Sequence, residues 1–298
     1  MKMLNYLRSK FPRRGEKPKV ILAPAKDQNV IDVLFKAVEL DICRPVITGN
    51  RELLAEVAQK YGPAVSELEL LEQPGDFESI KLAVSMIKDN RADILVQGDT
   101  GHNDFLNLVL DPEKGLARKN SCSYISLLMS PKDNRFTMIT DTFIHTLPNL
   151  QEKYVIVENA LRLASMLKID KPKVAVLAAI EKVNPRIVST VDAAVLSKMS
   201  ERKQFGDAIV EGPLDIDCAT SREAAARKKL DSVVPGDVDI YVVPNVESGY
   251  AFSQMLAFIG KMPHAGVLAG TVKPVVVNVP FIGFEEKVAE IILSTMLL

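Results

Sequence analysis

The sequence predicts an α/β protein with a largely parallel sheet, arranged as two successive α/β units, and three observations lead there. Short apolar runs alternate with amphipathic stretches along most of the 298 residues, the pattern of strand–helix–strand units. The strand-like runs are continuous rather than alternating, as in Ile240-Tyr241-Val242-Val243, which marks strands buried on both faces. Between residues 123 and 141 the alternation breaks, because two strand-like runs are joined by only Pro131-Lys132-Asp133-Asn134. That turn is too short for a helical crossover, so the pair reads as an antiparallel hairpin near the boundary of the two units.

The first unit reads as a strand at 19–24, a helix at 29–40, a strand at 45–48 and a helix at 52–61 closed by Gly62-Pro63. A short strand at 67–71, a helix at 77–89, a strand at 92–97 and a helix at 105–110 follow. Beyond the hairpin strands, 123–130 and 135–141, a long helix covers 150–167. Strands at 173–178, 208–211 and 239–243 then alternate with helices at 186–199 and 221–229. Pro244 stops the last of these strands, residues 245–249 read as a strand-to-helix loop, and Phe252, Met255, Leu256 and Ile259 fall at helical spacing behind it. Strand-like runs at 266–270 and 274–278 precede a closing helix at 285–298.

Composition removes several classes of function. Lys and Arg number 37 against 38 for Asp and Glu, so no net field draws the chain to nucleic acid or an anionic membrane. No apolar run approaches the roughly 20 residues needed to span a bilayer, and residues 1–14 are basic without the apolar core of a signal peptide. A cytoplasmic protein is expected. Cys43, Cys122 and Cys218 are far apart and share no ligand spacing with His102, His145 or His264, which argues for reduced thiols and no metal site. There is no Gly-x-Ser-x-Gly elbow or catalytic cysteine signature, so a covalent acyl-enzyme is not expected.

Ligands of open α/β sheets bind at the carboxyl ends of the strands, which directs attention to four segments of the second unit: residues 181–185, 211–217, 245–249 and 266–270. Behind the first, Thr190 is placed to donate to an anion and Asp192 to orient it; a capping and first-turn role fits both equally. Gly98 and Gly101 flank Asp99-Thr100 in a loop that matches no nucleotide-binding signature. His145 stands out among the histidines because it follows Asp141-Thr142 at a strand end.

Blocks in a fixed order carry more. They are residues 109–116 (Val-Leu-Asp-Pro-Glu-Lys-Gly-Leu), Ile139-Thr140-Asp141, residues 171–179, Val183-Asn184-Pro185, residues 192–199, Gly212-Pro213-Leu214 with Asp217, and Val243-Pro244-Asn245-Val246-Glu247. Together they resemble the phosphotransacylases, above all the phosphate butyryltransferase branch. The resemblance implies two α/β domains with a cleft between them, the fold of isopropylmalate and isocitrate dehydrogenases, divided as 1–126 plus 267–298 and 127–266, and a homodimer. It also implies transfer of an acetyl or butyryl-like group between coenzyme A and inorganic phosphate by direct attack in a ternary complex. Coenzyme A is then a substrate, with no cofactor bound permanently and no metal; holding two substrates in line supplies much of such a rate.

Carried onto this chain, the resemblance nominates Asp141, Asn245 and Glu286 as catalytic. It nominates Asn184, Thr190, Asp192, Gly212, Pro213, Glu247, Gly249, Lys273, Asn278 and His145 for binding acyl-CoA and phosphate. The departures lie at the most chemical positions. Val279-Pro280 stand where the family has a serine and an arginine, and Glu286 keeps a carboxylate near the base position. Gly249-Tyr250 with Ser253-Gln254 replace a Gly-Asn and Tyr-Lys pattern, and Gln97 replaces a lysine. Losing one oxyanion donor costs about 10² to 10³ in turnover. Two readings follow: an active acyltransferase with Asn278, Lys273 or His145 as replacement donors, and a catalytically degenerate relative that binds coenzyme A or acyl-CoA without efficient turnover. A nicotinamide-dependent dehydrogenase on the same fold ranks last, for want of its arginine-rich loop and paired metal aspartates.

Overall fold

A computed structural model describes residues 2–10, 15–62, 67–118 and 122–298. The chain forms two compact units, Met1–Asn120 with Ala265–Leu298, and Ser121–His264. Unit 1 opens with α1 (Lys2–Lys10), β1 (Lys19–Ala23), α2 (Gln28–Glu39), β2 (Arg44–Gly49) and α3 (Arg51–Tyr61). It continues with β3 (Glu69–Glu72), α4 (Asp76–Lys88), β4 (Ile94–Gln97) and α5 (His102–Val109). Unit 2 runs through β5 (Ser123–Met129), β6 (Phe136–Thr140), α6 (Leu150–Met166), β7 (Lys173–Leu177) and α7 (Val188–Glu201). It then forms β8 (Ile209–Leu214), α8 (Ile216–Thr220), α9 (Arg222–Arg227), β9 (Ile240–Val242) and α10 (Val246–Gln254), which passes into one π-helical turn at Met255–Ile259. The chain closes with β10 (His264–Ala269), β11 (Val275–Val276) and α11 (Phe284–Met296).

In unit 1 the strands lie in the order β3-β2-β1-β4-β11-β10, all parallel neighbours except the antiparallel β10–β11 pair. β1 is apolar on both faces because both are covered, and Val20, Ile21, Leu22 and Ala23 are fully buried. α11 packs on α1 and α2, closing the face over which Val288, Ile291 and Leu293 are buried. In unit 2 the order is β5-β6-β9-β7-β8; β5 and β6 form the expected antiparallel hairpin, and β6, β9, β7 and β8 are mutually parallel. α6 begins at a capping box in which the Asn149 side chain accepts from the Glu152 amide and the Glu152 carboxylate accepts from the Asn149 amide.

The structure corrects several expectations. Residues 245–249 are not a loop: Asn245 is the N-cap of α10 and Val246–Gly249 its first turn, because the Asn245 side chain accepts from the Ser248 amide. Residues 266–270 are not a strand-end segment of unit 2; 266–269 lie within β10, paired with β11 in unit 1, and Gly270 follows it. The helix expected over 221–229 shortens to α9, preceded by the separate α8, since Asp215 and Ser221 each cap a turn of their own. β8 runs on through Gly212-Pro213 to Leu214 after an irregularity in its register with β7. α1 was missed, although Met3, Leu4 and Leu7 bury at helical spacing. Pro63 lies outside the described residues.

At the amino edge of unit 2, charges tie three strands together. Asp239, just before β9, accepts from the Lys173 amide at the start of β7 (2.9 Å) and from Arg135 before β6 (2.7 Å). Asp237 accepts from Lys173 Nζ and from the same guanidinium, which holds its carboxyl below the ordinary range. Replacing Asp239 with alanine removes the acceptor of a half-buried amide as well as an ion pair. Asp239→Ala is therefore expected to destabilise the protein by about 2 to 3 kcal/mol, measured by urea unfolding; a loss below about 0.5 kcal/mol would show that the strand ends hold without it.

Candidate functional site

Because β6, β9, β7 and β8 are parallel, their carboxyl ends share one edge of unit 2, and Asp141, Asn245, residues 181–190 and Gly212-Pro213 all fall there. Asp141 follows β6 directly and is 1% exposed. One carboxylate oxygen accepts from the amides of Tyr124 (3.0 Å), Phe143 (3.0 Å) and Ile144 (3.1 Å). The other accepts from the His145 amide (3.1 Å) and from its ring Nδ1 (2.7 Å). Its lone pairs are thus committed to folding the loop after β6. Asp141 shapes the edge; in this conformation it is not poised to take a proton from a substrate.

α10 rests on that loop. The Val246 amide donates to Thr146 O (3.1 Å), and a Cβ at Gly249 would lie 2.8 Å from Asp141 O, so only glycine permits the approach. Asn245 Oδ1 receives the Ser248 amide (2.9 Å) and hydroxyl (2.8 Å). Glu247 is exposed in the first turn, where the helix N-terminus favours a carboxylate.

Farther along the same edge, the Thr190 hydroxyl accepts from the Asn184 amide (2.9 Å) and donates to Ile187 O (2.7 Å), while Asn184 Oδ1 accepts from the Arg186 amide (3.0 Å). Thr190 lies in the first turn of α7, whose N-cap Ile187 makes no side-chain cap, and its hydroxyl ties the preceding loop to the helix. Asp192 is paired with Lys153 Nζ at 2.7 Å, both side chains nearly buried, a partner that sequence spacing did not reveal. Beyond Gly212-Pro213, Lys228 is gripped by Asp215 and Asp217. The Cys218 thiol beside them is pushed up to about 12 by burial and by the Asp215 carboxylate. It is therefore protonated at neutral pH and no nucleophile.

The remaining nominated residues are in unit 1, and the structure separates them. Lys273 precedes β11 and donates to Ala92 O (2.9 Å) and Asp93 Oδ1 (3.2 Å) ahead of β4, so it sits at the amino edge of this sheet. Asn278 follows β11 at the opposite, carboxyl edge, where its amide donates to Gln97 Oε1 (3.0 Å), its Nδ2 reaches Gly98 O (3.4 Å) and its Oδ1 accepts from Lys287 Nζ (2.6 Å). Lys273 is thereby corrected from a replacement donor to a strand-end tie. Gln97 also donates to Thr100 O (3.1 Å), which fixes its amide orientation, so the His102 Nδ1 at 3.2 Å from its Oε1 carries the proton. Burial lowers the affinity of His102 for a second proton. Gly98 packs so closely on Pro24 that a Cβ would overlap its carbonyl, a packing role in place of a phosphate loop.

At this carboxyl edge lies a cavity of about 530 Å³ whose polar wall includes Asp27, Asp99, His102, Asn278 and Lys287 and whose apolar wall includes Val33, Pro280, Ile282 and Phe284. Glu286 is half-buried in the first turn of α11, folded back toward Gly283. Gln97 and Lys287 were not nominated from sequence. Gln97 stood out only as a lost lysine, and Lys287 looks like an ordinary helix-surface residue until β11 and α11 are placed.

Comparison with known proteins completes the picture. The family model described as Phosphate acetyl/butaryl transferase matches residues 51–294. Phosphate butyryltransferase of Clostridium acetobutylicum is 34% identical over 94% of this chain and 93% of its own length. Phosphate acetyltransferase of Thermotoga maritima is 31% identical over 95% of this chain and 96% of its own. A branched-chain phosphotransacylase from Enterococcus faecalis V583 superposes with a TM-score of 0.81 at 26% identity, covering 94% of this chain and 98% of that one.

The Asp141 hydrogen bond raises the His145 imidazole above its ordinary 6.5. A raised folded-state pKa gives stability that is complete below the unfolded value and is lost as pH rises through the folded one. The melting-temperature difference between wild type and His145→Gln is accordingly expected to be larger at about pH 5.5 than at about pH 8; an equal difference at both would show that the charged ring contributes nothing.

Proposed function

We propose that this chain, which belongs to the phosphate acetyl/butaryl transferase family, moves a short acyl group, acetyl or butyryl-like, between coenzyme A and inorganic phosphate. The observation that carries the reading is identity above 30% to phosphate acyltransferases over more than nine-tenths of the chain. A phosphate oxygen attacks the thioester carbonyl in a ternary complex, the C–O bond forms as the C–S bond breaks, and coenzyme A leaves as the thiolate. In reverse, a base removes the thiol proton. Glu286 is the nominated base, Asn278 a donor to the developing oxyanion, and Asp141 and Asn245 hold the edge of unit 2 in shape for Asn184, Gly212, Pro213 and Glu247 to meet substrate.

A specific observation favours the second reading, a coenzyme A or acyl-CoA binder without efficient turnover. At the two positions of the family serine and arginine, Val279 is buried with its amide on Val277 O (2.9 Å) and Pro280 has no N–H. Neither offers a donor. The two-domain division at 1–126 plus 267–298 and 127–266, the isopropylmalate/isocitrate dehydrogenase-like architecture, a cytoplasmic location and a homodimer belong to the same proposal. Met255, Phe258 and Ile259, well exposed on one π-helical turn, are the surface we assign to the dimer. Among the described residues no helix is long and apolar enough to cross a membrane.

Thiol release from acetyl-, butyryl- and branched acyl-CoA, with and without phosphate, tests the activity. Phosphate-dependent release that falls about 10² or more in Glu286→Gln is expected. Coenzyme A binding by calorimetry with no release selects the second reading, and neither binding nor release rejects both. For the dimer, Ile259→Lys should shift sedimentation toward the monomer; a monomeric wild type refutes that assignment.

A further inference from the structure

Among the described residues, no carboxylate pairs with Lys287, the ammonium that lines the unit 1 cavity. Lys287 donates to Asn278 Oδ1 at 2.6 Å, a neutral partner, and an ammonium has three protons to give. Asp27 lines the same cavity but caps α2 through the Asn29 amide (2.9 Å), and Asp99 is exposed; neither pairs with Lys287. The amine is held in place, since Asn278 is itself fixed from two sides by Gln97 and Gly98. The loop between them supplies no competing donor at Val279 or Ile282, whose amides bond to Val277 O and Val279 O, or at Pro280. A lysine in the first turn of α11 also stands at the positive end of the helix, the wrong end for a cation. A positioned, unneutralised ammonium facing a cavity of about 530 Å³ suits a small anion.

We propose that Lys287 binds the phosphoryl group of inorganic phosphate or acyl phosphate, with Asn278 as its positioning residue. This rests on the acyl-transfer reading for the identity of the anion, but the second of its two tests does not. Lysine acts on phosphate as a point charge and offers no bidentate fork.

Two measurements test it. In initial-rate kinetics, Lys287→Met should raise the phosphate KM by about tenfold or more while leaving the acyl-CoA KM unmoved, and Lys287→Arg should recover most of the loss. An unchanged phosphate KM, or a rise confined to acyl-CoA, overturns the assignment. Without turnover, the melting temperature in millimolar inorganic phosphate is compared with chloride at equal ionic strength. Wild type should be stabilised by phosphate beyond chloride and Lys287→Met should not. If wild type shows this shift but no acyl transfer, the anion site stands and the activity fails. If wild type shows no phosphate-specific shift the site is wrong, a result that does not depend on whether the methionine variant folds.

Discussion

Unit 2 depends on one buried carboxylate. Asp141 gathers the amides of Tyr124, Phe143, Ile144 and His145 on its two oxygens, so β5, the end of β6 and the following loop are fixed together. α10 is seated on that loop by the Val246 amide and by the absence of a side chain at Gly249. Without the carboxylate, several buried N–H groups would lack an acceptor, each costing about 1 to 3 kcal/mol. The position of Asn245 at the carboxyl end of β9 follows from this arrangement. A block shared with a family of enzymes can therefore mark a scaffold as firmly as it marks a catalyst.

The fold was largely legible in the sequence because its signals are local. Continuous apolar runs such as Val20 to Ala23 could only be strands covered on both sides, and Pro131-Lys132-Asp133-Asn134 could only close a hairpin. Where the sequence misled, the deciding group was a side chain whose partner lies a few residues off. Asn245 reads as loop until its carbonyl oxygen is seen on the Ser248 amide. The candidate site was less legible, since its contacts are long-range: Asp192 to Lys153, and Asn278 to Gln97 across 181 positions. Periodicity carries no record of such pairs. Lys273 and Asn278 are five positions apart and lie at opposite edges of one sheet, because the two-residue β11 stands between them.

The segment after β11 forms a wall rather than a gap. Val279 and Ile282 are buried, the segment after β11 is apolar, and Pro280 and Ile282 line the cavity. Apolar packing here stabilises the loop, which agrees with the general opposition between stability and a polar, strained active site. Beside it Gln97, Asn278 and Lys287 are joined in one hydrogen-bonded line.

The direction of α11 sharpens the significance of that line. Glu285 and Glu286 in its first turn follow the helix dipole, whereas Lys287 beside them opposes it, at a cost of about 0.3 to 1 kcal/mol for an exposed group. Lys287 is half-buried and holds a side-chain amide rather than either of those carboxylates, so the local electrostatics gain little from it. Sequences break local rules where function compensates. The first turn of α11 places a carboxylate and an ammonium at successive positions, Glu286 and Lys287. Successive side chains of a helix diverge by about 100°, so the proposed base and the proposed anion-binding cation point to different substrates from one rigid element. Rigidity is what the proposed direct transfer calls for, because a reaction between two bound molecules draws its rate from holding them in line.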